Sequence, residues 1–307
     1  MRAVVTAVAV ALAALAGSAH AGLLPYCQVQ PDLSAAQRDT LLQVAAVVRQ
    51  ELQRAGTPAA LVSRSGLDLR RFGQRYSHAG ISLAASPSVP WSVRQLYFDC
   101  DERRARLFDQ GLAGFLLGQH DARVGFVSLV MLPEAAARPL AQTALDDARA
   151  LAVLGAHYSA NAYAYSTRYQ NCNQWVAELM AAAWGTLSPR SQEQGSTPEA
   201  FRAQAQQWLR EAAYRPSPMT LRPRALVFAA PFIPWVQLDD HPETALQDQI
   251  FEVSMPASLE AFIRQREPAA QRVEVCHTGS RIVVRRGWTP LNDDCVAEPG
   301  DEELALQ

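Results

Sequence analysis

The amino-acid sequence predicts a mixed α+β fold, and three observations carry that expectation. Apolar residues recur at helical spacing over 34–54, 134–154 and 171–184. Short apolar or alternating runs at 75–83, 91–98 and 123–132 read as strands. The two kinds do not alternate one for one. The order runs helix, hairpin, strand, helix, helix and then a β-rich end, which is the α+β pattern rather than a parallel βαβ one. Hydrophobic residues make up 49% of the 307, so a sizeable core is available.

Each element has a local reason. Ser34 is placed to cap the first helix, where Leu41, Leu42, Ala45, Val48 and Leu52 fall near helical spacing until Gly56, Thr57 and Pro58 end it. Residues 59–62 form a short strand candidate. The strands at 75–83 and 91–98 are joined by a Ser/Pro-containing turn at 85–90. The apolar strand 123–132 stops at Pro133, and an alanine-rich helix follows to about 154. A stretch bearing Tyr158, Tyr163, Tyr165 and Tyr169 then leads into helix 171–184, closed by Gly185. Residues 185–197 are polar and expected in a loop, with a helix over 198–213. Prolines at 216, 218 and 223 mark a boundary. Beyond it, 225–228 and 236–238 read as short strands, 256–265 as a helix, and 272–276 with 281–285 as a hairpin about Thr278, Gly279 and Ser280. The resulting division is a leader at 1–21, a main domain at 22–214, a β-rich extension at 215–298 and an acidic, disordered tail at 299–307.

Residues 1–21 read as a secretory signal. Arg2 supplies the positive end, an apolar run follows from Val4 to Leu15, and Ala19-His20-Ala21 is a small-x-small cleavage site. That run falls short of the roughly twenty residues a membrane-spanning helix needs, and no other stretch approaches that length. The chain is therefore expected in the periplasm or outside the cell, with no transmembrane anchor. Its five cysteines are Cys27, Cys100, Cys172, Cys276 and Cys295. In an oxidising compartment an odd count leaves one thiol unpaired or paired between chains. Cys276 and Cys295 flank the hairpin and are natural partners. Cys27 and Cys100 could then pair, leaving Cys172 free, although other pairings satisfy the same arithmetic.

Two segments stand out against this background: Tyr76-Ser77-His78-Ala79-Gly80-Ile81 and Asn171-Cys172-Asn173-Gln174-Trp175-Val176. In the first, strand alternation sets Ala79, Ile81 and Leu83 on an apolar face and Tyr76, His78, Gly80 and Ser82 on the other, with Gly80 expected to leave open space beside the imidazole. In the second, Cys172, Val176, Leu179, Met180 and Ala183 form a buried stripe. Cys172 begins it, in the first turn of a helix that Asn171 can cap. There the unpaired N–H groups and the positive end of the helix dipole favour a thiolate and suit an oxyanion. A thiol so placed, facing an imidazole, is how a neutral cysteine becomes a nucleophile. Tyr76, Asn171 and Trp175 flank the two and are candidates for substrate contact. Each residue also has a plainer role open to it: His78 as a hydrogen-bonded surface histidine, Cys172 as an inert core thiol.

The order histidine strand first, cysteine helix later resembles the circularly permuted branch of the NlpC-type papain-like fold, to which lecithin retinol acyltransferase and its bacterial relatives belong. Residues 91–100 and 106–118 are similar to a family of exported bacterial proteins, domain of unknown function 2145, over most of the chain that follows the leader. The resemblance implies a Cys172 nucleophile, a His78 general base and a third polar group on the neighbouring strand. Trp91, Val93, Gln95 and Tyr97 share a face of that strand, and Gln95 is the choice there, with Tyr97 and Asp99 as alternatives. The branch often places a second histidine or an acid at this point. Glutamine fixes the ring without supplying charge. His78 would take the proton from Cys172, or the two would rest as thiolate and imidazolium, before attack on an amide or ester carbonyl. A cell-wall peptide or a lipid acyl group of the envelope is the implied substrate.

Other functions find no support. The chain has no lysine and a net charge of −2, and no arginine patch is interleaved with aromatics, so nucleic acid is not an expected partner. It contains no Gly-x-Ser-x-Gly, no P-loop lysine, no His-Glu-x-x-His and no Cys-x-x-Cys, so neither a metal nor a cofactor is expected. His120, His157, His241 and His277 lack ligand spacing. Two classes of function remain: an exported cysteine hydrolase or acyltransferase, and a non-catalytic module of the same fold that binds or assembles the envelope.

Overall fold

The computed structural model describes residues 33–306, apart from 100, 103, 119–123, 190–196, 225–226, 229 and 234. The leader at 1–21 and the Cys27–Cys100 pairing lie outside the described residues. Helix α1 (Ala35–Ala55) opens with a capping box. The Ser34 hydroxyl accepts from the Gln37 N–H, and the Gln37 side chain accepts from the Ser34 N–H. Gly56, with φ of 64°, closes it in the left-handed conformation.

Eight strands form one antiparallel sheet. They are β1 (Ala59–Arg64), β2 (His78–Leu83), β3 (Ser92–Asp99), β4 (Arg104–Gln110), β5 (Gly125–Met131), β8 (Gln271–His277), β9 (Arg281–Arg286) and β10 (Glu302–Ala305), in the order β10-β9-β8-β5-β1-β2-β3-β4. A separate two-stranded sheet pairs β6 (Ser217–Thr220) with β7 (Ile250–Val253). The helices between are α2 (Leu112–Leu117), α3 (Glu134–Leu145), α4 (Asp147–Ala152), α5 (Cys172–Trp184), α6 (Pro198–Glu211), α7 (Glu243–Asp248) and α8 (Pro256–Arg266). The single alanine-rich helix expected at 134–154 is two helices. Asp146 turns to φ −80°, ψ 103° and its side chain accepts from the Arg149 N–H, capping a new start.

Residues 215–298, open to being a separate β-rich module or part of one continuous domain, contribute to the main sheet: β8 pairs with β5 from Gly125↔His277 to Met131↔Gln271. Two further expectations are corrected. The acidic tail is not disordered: β10 pairs with β9 from Glu302↔Val284 to Ala305↔Arg281. The physical reason is charge complementarity with an arginine-rich strand. Arg285 bonds Asp301 at 2.7 Å and Glu298 at 2.8 Å, and Arg286 bonds Glu302 at 2.7 Å. Finally, 236–238 is not a strand, and the small sheet is built from 217–220 and 250–253 instead.

Helices α1 and α2 cover one face of the main sheet, with Val44, Val48, Leu52, Phe115 and Leu116 packed on Ala60, Val62, Val127, Leu129 and Val275. Helix α5 packs on β2 and β3 and is enclosed by α3, α6 and α8. It is buried on every side from Cys172 to Ala183, as expected of an almost uncharged, alanine-rich helix. Its one charge is Glu178, which is fully buried. That carboxylate accepts from Arg202 Nε at 2.8 Å, from Gln170 Nε2 at 2.7 Å and from Gln206 Nε2 at 2.7 Å. Arg202 also donates to the carbonyls of Thr167 at 2.6 Å, Tyr169 at 3.1 Å and Ser166 at 3.2 Å. One buried ion pair thereby clamps the tyrosine-bearing loop to α5 and α6.

Removing one partner of a buried ion pair strands the other charge. Arg202→Met is expected to destabilise the fold by about 3 kcal/mol or more, read from the urea midpoint. Cys276 and Cys295 form a disulfide with a sequence separation of 19. Loop-closure entropy makes that link worth about 3 kcal/mol, so Cys276→Ser/Cys295→Ser should lower the midpoint by a corresponding amount.

Candidate functional site

The site begins with the cap of α5. Asn171, at φ −101° and ψ 172°, accepts the Gln174 N–H on its side-chain oxygen at 2.7 Å. Its amide donates to the carbonyls of Ala160 at 3.3 Å and Ser254 at 3.2 Å. The helix therefore starts at Cys172 in a fixed direction. Its first turn then straddles His78: Asn173 Nδ2 donates to the Ser77 carbonyl at 3.3 Å, and the Cys172 sulfur meets the N–H of Ala79.

The Ala79 N–H is available because β2 parts from β3. The β2–β1 ladder runs the full strand, from Leu83↔Ala59 to His78↔Arg64. The β2–β3 ladder begins only at Ile81↔Arg94. The N–H groups of Ala79, Cys172 and Asn173 all act on the sulfur. All three pull the thiol's pKa down, the effect expected of backbone dipoles at a helix start. Gly80 does not leave open space, contrary to expectation. A Cβ there would lie 2.5 Å from Val93 Cγ1 and 2.9 Å from the Arg94 carbonyl, so glycine is required by the close approach of β3.

Across the same parting, His78 Nε2 hydrogen-bonds Gln95 Oε1, and Gln95 Nε2 donates to Gln110 Oε1 at 2.7 Å. A carbonyl oxygen only accepts, so Nε2 carries the proton and Nδ1 keeps its lone pair. Of the three residues considered for this role, Gln95 is the one that meets the imidazole. Tyr97 is about half exposed and edges onto Phe108 at 5.8 Å, while Asp99 lies 3.6 Å from Arg106. The imidazole also faces the Phe115 ring at 5.7 Å.

Sequence reasoning missed Arg64. It lies directly opposite His78 in the β1–β2 register, is buried, donates from Nη1 to the Gly118 carbonyl at 2.6 Å and stands 5.3 Å above Phe115. The available signal was alternation: carried two residues past the expected strand end, Ala60 and Val62 put Arg64 on the face that holds His78.

Burial pushes the Cys172 thiol up to about 12, against the pull of Arg64 and the three N–H groups. Burial, aided by Arg64, holds His78 down at about 3, against the hydrogen bond it donates to Gln95. Both shifts favour neutral partners. A resting thiolate–imidazolium pair, one of the two expected states, is disfavoured here because the low-dielectric site charges for both ions and Gln95 offers the imidazolium no counter-charge.

Tyr76, Asn171 and Trp175 do not present themselves to a substrate. Tyr76 is buried, its hydroxyl donating to Glu274 and accepting from Arg272 Nη2 at 3.3 Å. Asn171 is consumed by the cap. Trp175 is fully buried and donates from Nε1 to the Ala150 carbonyl at 3.2 Å. Among the tyrosines before α5, Tyr158 stacks on Phe98 at 4.8 Å, which is packing. Cys172 is a free cysteine, and the described residues contain no cluster of His, Cys, Asp or Glu able to hold a metal. No helix among them is long and apolar enough to cross a membrane.

The fold and site define an α+β protein whose large antiparallel sheet carries a buried cysteine at a helix start beside a histidine strand. The chain belongs to the family of uncharacterized proteins conserved in bacteria, DUF2145, which matches residues 51–263 and so spans Arg64, His78, Gln95 and Cys172. No curated protein and no solved structure matches it.

The two shifts set a pH profile for stability. The folded pKa of His78, about 3, lies below its ordinary 6.5, so its contribution is fully present above pH 6.5 and declines as the pH falls towards 3. The folded pKa of Cys172, about 12, lies above its ordinary 9, so its contribution is present below pH 9 and declines as the pH rises towards 12. His78→Gln should flatten the acid limb, removing about 2 kcal/mol of the stability change between pH 6.5 and about 5, and Cys172→Ala should flatten the alkaline limb, both read by urea unfolding.

Proposed function

We propose that this protein is an exported cysteine hydrolase or acyltransferase acting on an amide or ester bond, built on a circularly permuted papain-like core. Cys172 is the nucleophile, His78 the general base and Gln95 the residue that orients the ring. What supports the reading is the placement of Cys172 in the first turn of α5, where backbone N–H groups pull its pKa down, against the start of a histidine strand whose imidazole is tied to Gln95: Asn173 bonds the Ser77 carbonyl, and His78 Nε2 bonds Gln95 Oε1. In this mechanism the sulfur attacks the carbonyl while neutral His78 takes its proton at Nδ1. Helix-start N–H groups hold the charge that develops on oxygen. His78 then protonates the leaving group, and water or a second acceptor releases the acyl chain. The substrate class is an envelope component, a wall peptide or a lipid acyl group, in keeping with a leader-bearing sequence.

The burial of the thiol favours a second reading. Cys172 is only 7% exposed, which suits a non-catalytic envelope-binding module on the same frame. Acyl transfer separates the two. The protein is incubated with p-nitrophenyl acyl esters and short wall-type peptides, and adducts are located by mass spectrometry. An acyl adduct on Cys172 is expected. It should vanish in Cys172→Ala, and its formation should slow by about 100-fold or more in His78→Ala and by about tenfold in Gln95→Leu. Folded protein that gains no adduct from any donor would leave the binding module as the better account.

A further inference from the structure

We propose that the segment between β6 and α7 is a membrane-docking surface, which rests the protein on a bilayer face bearing anionic phospholipid headgroups. The inference goes beyond the cysteine chemistry and does not depend on it. It starts from composition. Residues 225–236 are apolar throughout. The wider stretch 212–238 holds three arginines, Arg215, Arg222 and Arg224, and no acidic residue. An apolar run beside basic residues is the composition of a segment that lies in the plane of a bilayer interface. The run is too short to span, which takes roughly twenty residues.

The structure pins this segment at some residues and leaves others outside. Leu221, Val227 and Leu238 pack on the cluster of Phe251, Val253 and Met255, and Ala230 and Trp235 are buried. Between these anchors Phe228 is 75% exposed and Phe232 86%, the two highest values among the large exposed hydrophobics of the described residues. Apolar side chains scattered singly are ordinary on a surface. Two phenylalanines four residues apart, each flanked by buried anchors, form a patch with a fixed base.

Charge selects the occupant. Arg215, Arg222 and Arg224 are exposed, and among the described residues none of the three forms an ion pair. The Arg224 guanidinium donates to the Gln247 carbonyl at 3.3 Å. Exposed arginines elsewhere are neutralised, Arg70 by Asp68, Arg104 by Glu102 and Arg138 by Glu134. The two acids that follow the segment are engaged away from it. Asp239 pairs with Arg168 at 2.6 Å, and Asp240 accepts the Tyr163 N–H at 3.0 Å. Apolar tips beside unpaired positive charge match an interface in which acyl chains lie beneath phosphate-bearing headgroups. A second copy is a poorer match, because a two-fold contact sets the same patch against itself and brings these arginines together. The segment is also continuous with the loop that leads into α5. The Ala160 N–H donates to the Trp235 carbonyl at 2.8 Å, and the Ala160 carbonyl accepts from Nδ2 of Asn171, the α5 cap, at 3.3 Å.

Vesicle binding tests the proposal and reads no turnover, so its outcome stands apart from whether Cys172 performs acyl transfer. The full chain is centrifuged with vesicles of phosphatidylcholine alone and of equal parts phosphatidylcholine and phosphatidylglycerol. It is expected to sediment with the mixed vesicles about tenfold or more better than with the neutral ones, and to lose that preference as NaCl is raised. Phe228→Ser/Phe232→Ser should weaken binding to mixed vesicles by about tenfold or more. Arg222→Gln/Arg224→Gln should weaken it by about tenfold on the mixed vesicles alone. All four side chains are exposed, so the urea midpoints should stay close to that of the wild type. Folded protein that remains in the supernatant with both vesicles would overturn the assignment, as would binding that survives both pairs of substitutions. Wild-type dimerisation, seen by analytical ultracentrifugation and abolished by Phe228→Ser/Phe232→Ser with vesicle binding unchanged, would also overturn it and make a second copy the occupant.

Discussion

The structure turns on one buried carboxylate. Glu178 sits in the middle of a helix that is otherwise apolar, and its cost in lost hydration is offset by Arg202, Gln170 and Gln206, each within about hydrogen-bonding distance of it. Because Arg202 also collects three carbonyls of the preceding loop, the chain entering α5 is held from one side while Asn171 caps it from within. The position of the Cys172 sulfur follows from these two restraints. A helix that could rotate or slip by one residue would take the thiol out of the β2–β3 parting.

The parting itself is a second constraint, and it belongs to the sheet. At Gly80 the strands approach so tightly that no side chain fits, and two residues earlier, beyond the end of the ladder, His78 bonds Gln95. Antiparallel ladders resist such opening, because each unpaired N–H must find another acceptor. The Ala79 N–H, left without a β3 partner in the ladder, lowers the pKa of the Cys172 thiol, and Asn173 bonds the Ser77 carbonyl just before it.

Electrostatics then decides the charge state of each of the two groups. A carboxylate in place of Gln95 would hold His78 protonated and favour an ion pair. An uncharged amide, together with burial and the nearby Arg64 guanidinium, leaves imidazole and thiol both neutral. The proposed reactivity is accordingly that of general-base assistance in the attacking step rather than of a standing thiolate. The structural residues around the pair contribute packing and orientation: Trp175 bonds the Ala150 carbonyl, and Tyr76 joins the Glu274–Arg272 cluster.

Sequence by itself determined the elements that depend on near neighbours. The Ser34 and Asn171 caps, the helical spacing of α1 and α5, the strand around His78 and the Cys276–Cys295 partnership were all legible, because each is a matter of periodicity, cap chemistry or a single hairpin. It also singled out Cys172, His78 and Gln95. It could not show that Gly80 is crowded, that Tyr76 and Trp175 are occupied, or that 302–305 completes a strand, since those facts depend on partners up to about two hundred residues away along the chain. Arg64 escaped for the same reason: an arginine at a strand end looks like a solvated charge until the β1–β2 register and the Gly118 turn enclose it. Local preference sets which segments are helix or strand, but burial, register and the field around a titrating group are sums over the whole packed chain, and only tertiary structure performs that sum.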